Sequence, residues 1–172
     1  MARFWKLSIL MAALIIIDQI TKGMIQQNFA LGESIPIIDG FFNFTYVQNQ
    51  GAAFGMGANS GDIFRLILFK ILPVLACFWL IWEIWKFKNL KDKFLLSLAY
   101  SLIFAGAVGN LIDRISLDYV VDFLDFYYGK YHFPAFNVAD SAISIAFVLL
   151  VIEMILENRE KKEIEANTNP VE

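Results

Sequence analysis

The chain has 172 residues, of which 58% are hydrophobic and 16% aromatic, with 17 acidic side chains against 14 lysines and arginines. That is too apolar for a water-soluble domain of this length and suits a chain built for a bilayer. A net charge of -3 offers no basic face to neutralise phosphates, which excludes a nucleic-acid partner.

Taken in order, four segments are long and apolar enough to cross about 30 Å of hydrocarbon, which takes about 20 residues each. They run near Trp5 to Ile25, Ile63 to Trp85, Phe94 to Ile115 and Phe136 to Leu156. Arg3 and Lys6 before an apolar run have the look of a cleaved leader, yet no small-x-small cleavage site follows. Asp18 and Lys22 interrupt the run, so it is read as a retained first span. The expected organisation is one membrane-embedded domain over residues 1–157 and a charged cytoplasmic tail over 158–172, the tail ending in disorder.

Nine of the fourteen lysines and arginines lie in the N-terminal stub, in the loop from Lys86 to Lys93 and in the tail, and none falls between Met24 and Asp62. By the positive-inside rule both termini and the Lys86 loop are cytoplasmic, and the other two connections face outward. In the first of these, Ser34 to Ile38, Asp39-Gly40 and Phe41 to Val47 predict a β-hairpin within a β-rich segment over about 30–60. Its aromatic face (Phe42, Phe44, Tyr46) either seats on the membrane surface or forms a platform for an extended substrate. The run from Gln48 to Gly57 is rich in small residues, suited to close backbone approach to a ligand or neighbouring strand. The fold class is therefore an all-α membrane protein: a four-transmembrane-helix bundle with a small extracytoplasmic antiparallel β-sheet or hairpin between the first two helices.

Polar groups inside spans are expensive. Asp18 and Lys22, four apart, share a helix face and are either an internal ion pair or part of the chemistry. Asn110, Asp113 and Arg114 close the third span, where Arg114 is suited to grip a carboxylate, Asp113 included, or a group of the substrate. Gly106 and Gly109 suit close helix contact. Asn137, Asp140, Ser141 and Ser144 form a stripe on the fourth span that must face the bundle. All of these fall at the outward ends of their helices.

Two aspartates stand out, in Val120-Val121-Asp122-Phe123 and Asn137-Val138-Ala139-Asp140-Ser141, joined by a polar, aromatic loop. Two carboxylates sharing an apolar site cannot both ionise comfortably, so one holds a proton near neutral pH. That is the electronic state of an aspartic-protease dyad.

Five boxes together, Asp18-Gln19-x-x-Lys22, Asn49-x-Gly51-Ala52-Ala53, Gly106-x-x-Gly109-Asn110-Leu111-x-Asp113-Arg114, Val120-Val121-Asp122-Phe123 and Phe136-Asn137-x-Ala139-Asp140-Ser141, closely resemble the lipoprotein signal peptidase family, also called signal peptidase II. The resemblance covers about residues 10–155, in order. It implies a bacterial inner-membrane aspartyl endopeptidase that cleaves prolipoproteins just before a cysteine carrying diacylglycerol, with the site near the outer face. Asp122 and Asp140 match the catalytic pair. Asn49, Gly51, Asn110, Arg114 and Asn137 match positions assigned to orienting the dyad and gripping substrate, and Asp18, Lys22 and Asp113 fall in boxes read as structural support. Diacylglyceryl-prolipoproteins and membrane lipids are the implied partners, with no cofactor or metal and a monomeric chain. Asp125 lies outside the family's pattern.

Other chemistries fit less well. A Ser-Lys peptidase needs Ser141 or Ser144 beside a lysine in a dyad spacing that is not present. A metal site built on His132 with Asp122, Asp125 and Asp140 lacks a ligand motif. A small proton-coupled transporter or channel subunit is the alternative from another class. It predicts acids spread through the membrane depth, whereas these cluster at one end. Cys77 has no mate in the chain and reads as a buried small hydrophobe.

Overall fold

The computed structural model describes residues 2–51, 61–87 and 93–168. Ala52 to Gly57 of the small-residue run, Lys88 and Lys91 of the basic loop, and the last residues of the tail lie outside them. The described chain runs α1 (Ala2–Asn28), β1 (Ser34–Ile38), β2 (Phe42–Asn49), α2 (Asp62–Lys86), α3 (Phe94–Ser116), β3 (Val120–Tyr128), β4 (Tyr131–His132) and α4 (Val138–Thr168). The four helices are each long and apolar enough to cross a membrane, α4 doing so over Val138–Lys162. They expose large apolar side chains such as Ile16, Ile20, Trp79, Trp82, Phe147 and Val148, which hydrocarbon would cover.

Helix α3 packs against the other three, most extensively against α4. Small residues allow this. Ala99, Gly106 and Gly109 of α3 meet Ala139, Ala142 and Ala146 of α4, so the backbones approach closely. A second cluster joins Leu7 and Met11 of α1 to Ile84 and Ala105, and Cys77 is buried as expected. The second span is continuous but takes a π-turn at Ile67–Ile71, just before Pro73. Proline has no N–H for the carbonyl four residues back and crowds it, and a widened turn absorbs the mismatch.

The hairpin lies where the sequence predicts it, with Gly40 in the left-handed region (φ +78°) and the Phe41 N–H donating to Ile38 O at 3.0 Å. It is half of a larger sheet. The segment after α3, read from sequence as a loop, supplies β3 and β4, giving one antiparallel order β1-β2-β3-β4. Val120, Val121, Asp122 and Phe123 of β3 are all buried, so the strand carries no apolar–polar alternation by which sequence could reveal it. Pairing of Val47 with Asp122 and of Asn49 with Val120 brings β2 alongside the first aspartate. Ile25, Tyr46, Val121 and Phe123 form the core that seats the sheet on α1. At the far end α4 continues beyond Leu156 to Thr168.

Candidate active site

Support comes from a buried charge cluster. Lys22 Nζ lies 2.8 Å from Asp18 Oδ2 and 3.0 Å from Asp113 Oδ2, and donates to Asn110 Oδ1 at 2.9 Å. The ion pair foreseen between Asp18 and Lys22 is thus present, but with a second carboxylate and an amide attached. All four side chains are buried. A buried charge is tolerated only where its remaining hydrogen-bonding capacity is met. Here it is met by backbone: the Val121 N–H donates to Asp113 Oδ2 at 3.1 Å and the Ala139 N–H to Asp18 Oδ1 at 2.9 Å. Each supporting acid therefore holds the residue next to one of the two aspartates.

Asp122 is presented by β3. Its Oδ1 accepts from Asn137 Nδ2 at 2.8 Å and its Oδ2 from Asn49 Nδ2 at 3.0 Å, the latter reaching diagonally across the β2–β3 pair. Asp140 sits in the first turn of α4, where Oδ1 accepts from Asn110 Nδ2 at 2.8 Å and Oδ2 from the Asn137 N–H at 3.2 Å. Asn137 thus touches both acids. Sequence analysis put it inside the fourth span; the structure makes it the residue that caps that span.

Both aspartates open onto one cavity of about 920 Å3, which Asn49, Asn110 and Arg114 also line, together with apolar Phe133, Phe136 and Ile143. A largely apolar lining with a few converging polar groups is the character of a ligand-binding cleft. Burial, and after it the neighbouring Asp140 carboxylate, pushes the Asp122 carboxyl up from an ordinary 3.8 to about 7, against the pull of the Asn49 and Asn137 hydrogen bonds.

Arg114 does not grip Asp113. That acid is already taken by Lys22, by the Val121 amide and by Gln19 Nε2 at 3.0 Å, so the guanidinium turns to the cavity, donates to Gly51 O at 3.1 Å and lies over the Phe69 ring at 5.3 Å. Gly51 is positioned in turn by its N–H, which donates to Asn49 Oδ1 at 3.0 Å. Ser141 and Ser144 line the cavity, yet their hydroxyls donate to the carbonyls of Asn137 and Asp140, four residues back. Asp125 is engaged by Asn43 Nδ2 and by His132 Nδ1, each at 2.9 Å, and is not among the groups lining the cavity. Sequence reasoning assigned Gln19 no role; it ties Asp113 to the Gly109 carbonyl at 3.1 Å, and its place beside Asp18 on α1 was the available signal.

The family model for signal peptidase (SPase) II matches residues 10–156. The chain is 44% identical over 147 residues to a lipoprotein signal peptidase of Syntrophus aciditrophicus, covering 86% of this chain and 90% of that one. To a lipoprotein signal peptidase of Geobacter sulfurreducens it is 46% identical over 147 residues, covering 86% and 89%. A solved structure described as a bacterial membrane enzyme, determined by the in meso method, superposes with a TM-score of 0.77 at 35% identity, covering 92% of each chain. With its four apolar helices and a matched region that contains every residue of the cavity's polar wall, the chain belongs to the signal peptidase II family of multi-pass membrane peptidases.

Proposed function

We propose that the chain is an aspartic endopeptidase of the bacterial inner membrane that removes the signal peptide from prolipoproteins, cutting on the N-terminal side of a diacylglyceryl-modified cysteine. The observation that carries this reading is the meeting of Asp122 and Asp140 on one cavity, with Asn137 bonded to both. Family membership supports the substrate class.

In this reading Asp122 carries the shared proton and Asp140 is the base. Water between them gives a proton to Asp140 as its oxygen attacks the scissile carbonyl, while Asp122 donates to the developing oxyanion. Collapse of the tetrahedral intermediate breaks the C–N bond: the proton gained by Asp140 leaves on the new amine, and a hydroxyl of the intermediate returns a proton to Asp122 as the carbonyl re-forms. No covalent acyl-enzyme forms. Arg114 and Asn49 grip the substrate backbone, and apolar parts of the substrate lie against Phe133, Phe136 and Ile143. The charge cluster around Lys22 supports the dyad without touching the substrate. Both termini face the cytoplasm and the cavity lies near the outer face, a topology supported by the distribution of lysine and arginine.

The test is cleavage of a lipid-modified prolipoprotein by reconstituted variants. Asp122→Asn and Asp140→Asn should each lower kcat by about 10²–10⁴-fold, the range for loss of a positioned acid or base. Near-full cleavage by either variant removes that residue from the catalytic role.

A further inference from the structure

Next to the cleft, and sharing Gln50 and Arg114 with it, is a second cavity of about 510 Å3 at the start of α2. Three cations line it, Arg65, Lys70 and Arg114, against two carboxylates, Asp62 and Asp118. Lys70 Nζ lies 2.7 Å from Asp118 Oδ1, so that pair largely satisfies itself. Asp62 is exposed. Arg114 turns to the larger cleft and donates to Gly51 O, so Arg65 is the cation left to set the character of this cavity.

Arg65 is incompletely used. One terminal nitrogen donates to Gln50 O at 3.3 Å and to Asp118 O at 3.4 Å, both long, while Nε is shielded from solvent with no partner. A shielded donor on a charged group is costly unless an acceptor comes to it. The neighbouring residues on α2 indicate where that acceptor is found: Ile63, Phe64, Leu66 and Ile67 are exposed and apolar at the end of a membrane-spanning helix. A cationic notch beside such a surface, at the end of a membrane-spanning helix, suits an anionic headgroup.

We infer that this cavity binds the phosphodiester of an outer-leaflet glycerophospholipid, with Arg65 as the donor and the acyl chains lying along the exposed face of α2. A guanidinium matches a phosphodiester through paired N–H donors, and the Nε of Arg65, shielded and without a partner in the protein, is satisfied once the side chain turns it to the phosphodiester. The substrate lipid proposed above, a diacylglyceryl thioether, has no phosphate, so the site belongs to a different molecule. It stands independently of the peptidase reading, because binding is measured without turnover.

The experiment is native mass spectrometry of the full chain released from neutral detergent, titrated with phosphatidylglycerol and, in parallel, with phosphate-free diacylglycerol of the same chains. Phosphatidylglycerol should be retained at one copy and diacylglycerol should not. Arg65→Gln should weaken retention at least about tenfold, the scale of one charge-assisted hydrogen bond. Lys130→Gln, which removes the same charge from an outer turn, should leave it unchanged. Arg65→Lys keeps the charge without the planar fork and should show a smaller loss, which covers the case in which the glutamine variant does not fold. Equal retention by Arg65→Gln and wild type overturns the proposal, as does equal binding of diacylglycerol. Displacement of the lipid by millimolar inorganic phosphate would make this a free-phosphate site, and displacement by an unacylated peptide of the substrate's mature region would assign the cavity to substrate.

Discussion

Asn137 and Asp140 cap each other: the Asp140 N–H donates to Asn137 Oδ1 at 2.9 Å, and the Asn137 N–H donates to Asp140 Oδ2 at 3.2 Å. This is the reciprocal arrangement of a capping box, built from Asn and Asp at the first turn of α4. It makes one helix start serve two purposes, ending the backbone ladder cleanly and fixing a carboxylate. The Asn137 Nδ2 is then left to reach Asp122.

Two losses at residue 137 should therefore separate. Asn137→Ala removes the cap and the Asp122 bond together, costing about 1 kcal/mol of stability for the cap and lowering kcat as well. Asn137→Ser keeps a capping oxygen but has no amide for Asp122. Thermal stability should recover in the serine variant while kcat stays low; a serine variant with wild-type kcat would show that the Asp122 contact does not matter.

Lys22 should be less replaceable than its distance from the cavity suggests. Lys22→Met leaves Asp18 and Asp113 buried without their cation, and breaking a buried pair on one side typically costs about 3–5 kcal/mol. Its Nζ also satisfies Asn110 Oδ1, which keeps the amide turned with Nδ2 toward Asp140. The expected result is a large fall in melting temperature, and a lower kcat even at temperatures where the variant is folded. Adding Asp18→Asn should restore part of the stability and none of the activity.

The two glycines of α3 make a sharper test of packing. A Cβ at Gly106 would run into the Ala139 carbonyl oxygen and come within 2.6 Å of Ile143 Cγ1, and one at Gly109 would lie 2.6 Å from Asp18 Oδ2. At Gly106 the obstruction is backbone, so Gly106→Ala should push α4 away and abolish cleavage. Gly23 on α1 has nothing within 4 Å of the added atom. Gly23→Ala should be neutral or stabilising by up to about 1 kcal/mol from helix propensity. Thermal denaturation in detergent and the cleavage rate compare the variants.

Asp122 determines the direction of the pH response. With its carboxyl raised to about 7 in the folded protein and 3.8 as the ordinary value, the neutral form is favoured by folding. Its contribution to stability is complete below the ordinary value and is lost as pH rises through about 7, because over that window the folded state holds a proton that the unfolded chain has released. Melting temperatures measured across that window should fall less in Asp122→Asn, which has no proton to lose. If Asp122 is the proton donor, kcat/KM should also fall above about pH 7; a profile flat to pH 9 would contradict that assignment.

Long apolar runs and the positions of acids within them are local properties, so the spans and the pair Asp122 and Asp140 could be read directly. The partner of Arg114 could not. Helical spacing brings Asp113 next to it in sequence, yet Lys22 on another helix claims that acid first. Spacing along one element ranks neighbours, but competition among elements decides who binds whom. Asp125 is a similar case: only three residues from Asp122, it is taken by Asn43 and His132 and plays no part in the cavity.

By itself, the sequence determined a four-span membrane chain, the hairpin at Asp39-Gly40 and the family, and it singled out Asp122 and Asp140 as candidates, because hydrophobic length, turn chemistry and motif spacing are written within short stretches. Only the tertiary structure decided that β3 and β4 complete a sheet with that hairpin, that Asp18 and Asp113 hold the residues beside each aspartate, and that Asn137 bridges the two acids. These are contacts between segments as many as 121 residues apart. Their existence depends on the burial that the whole bundle achieves, and no local pattern encodes it.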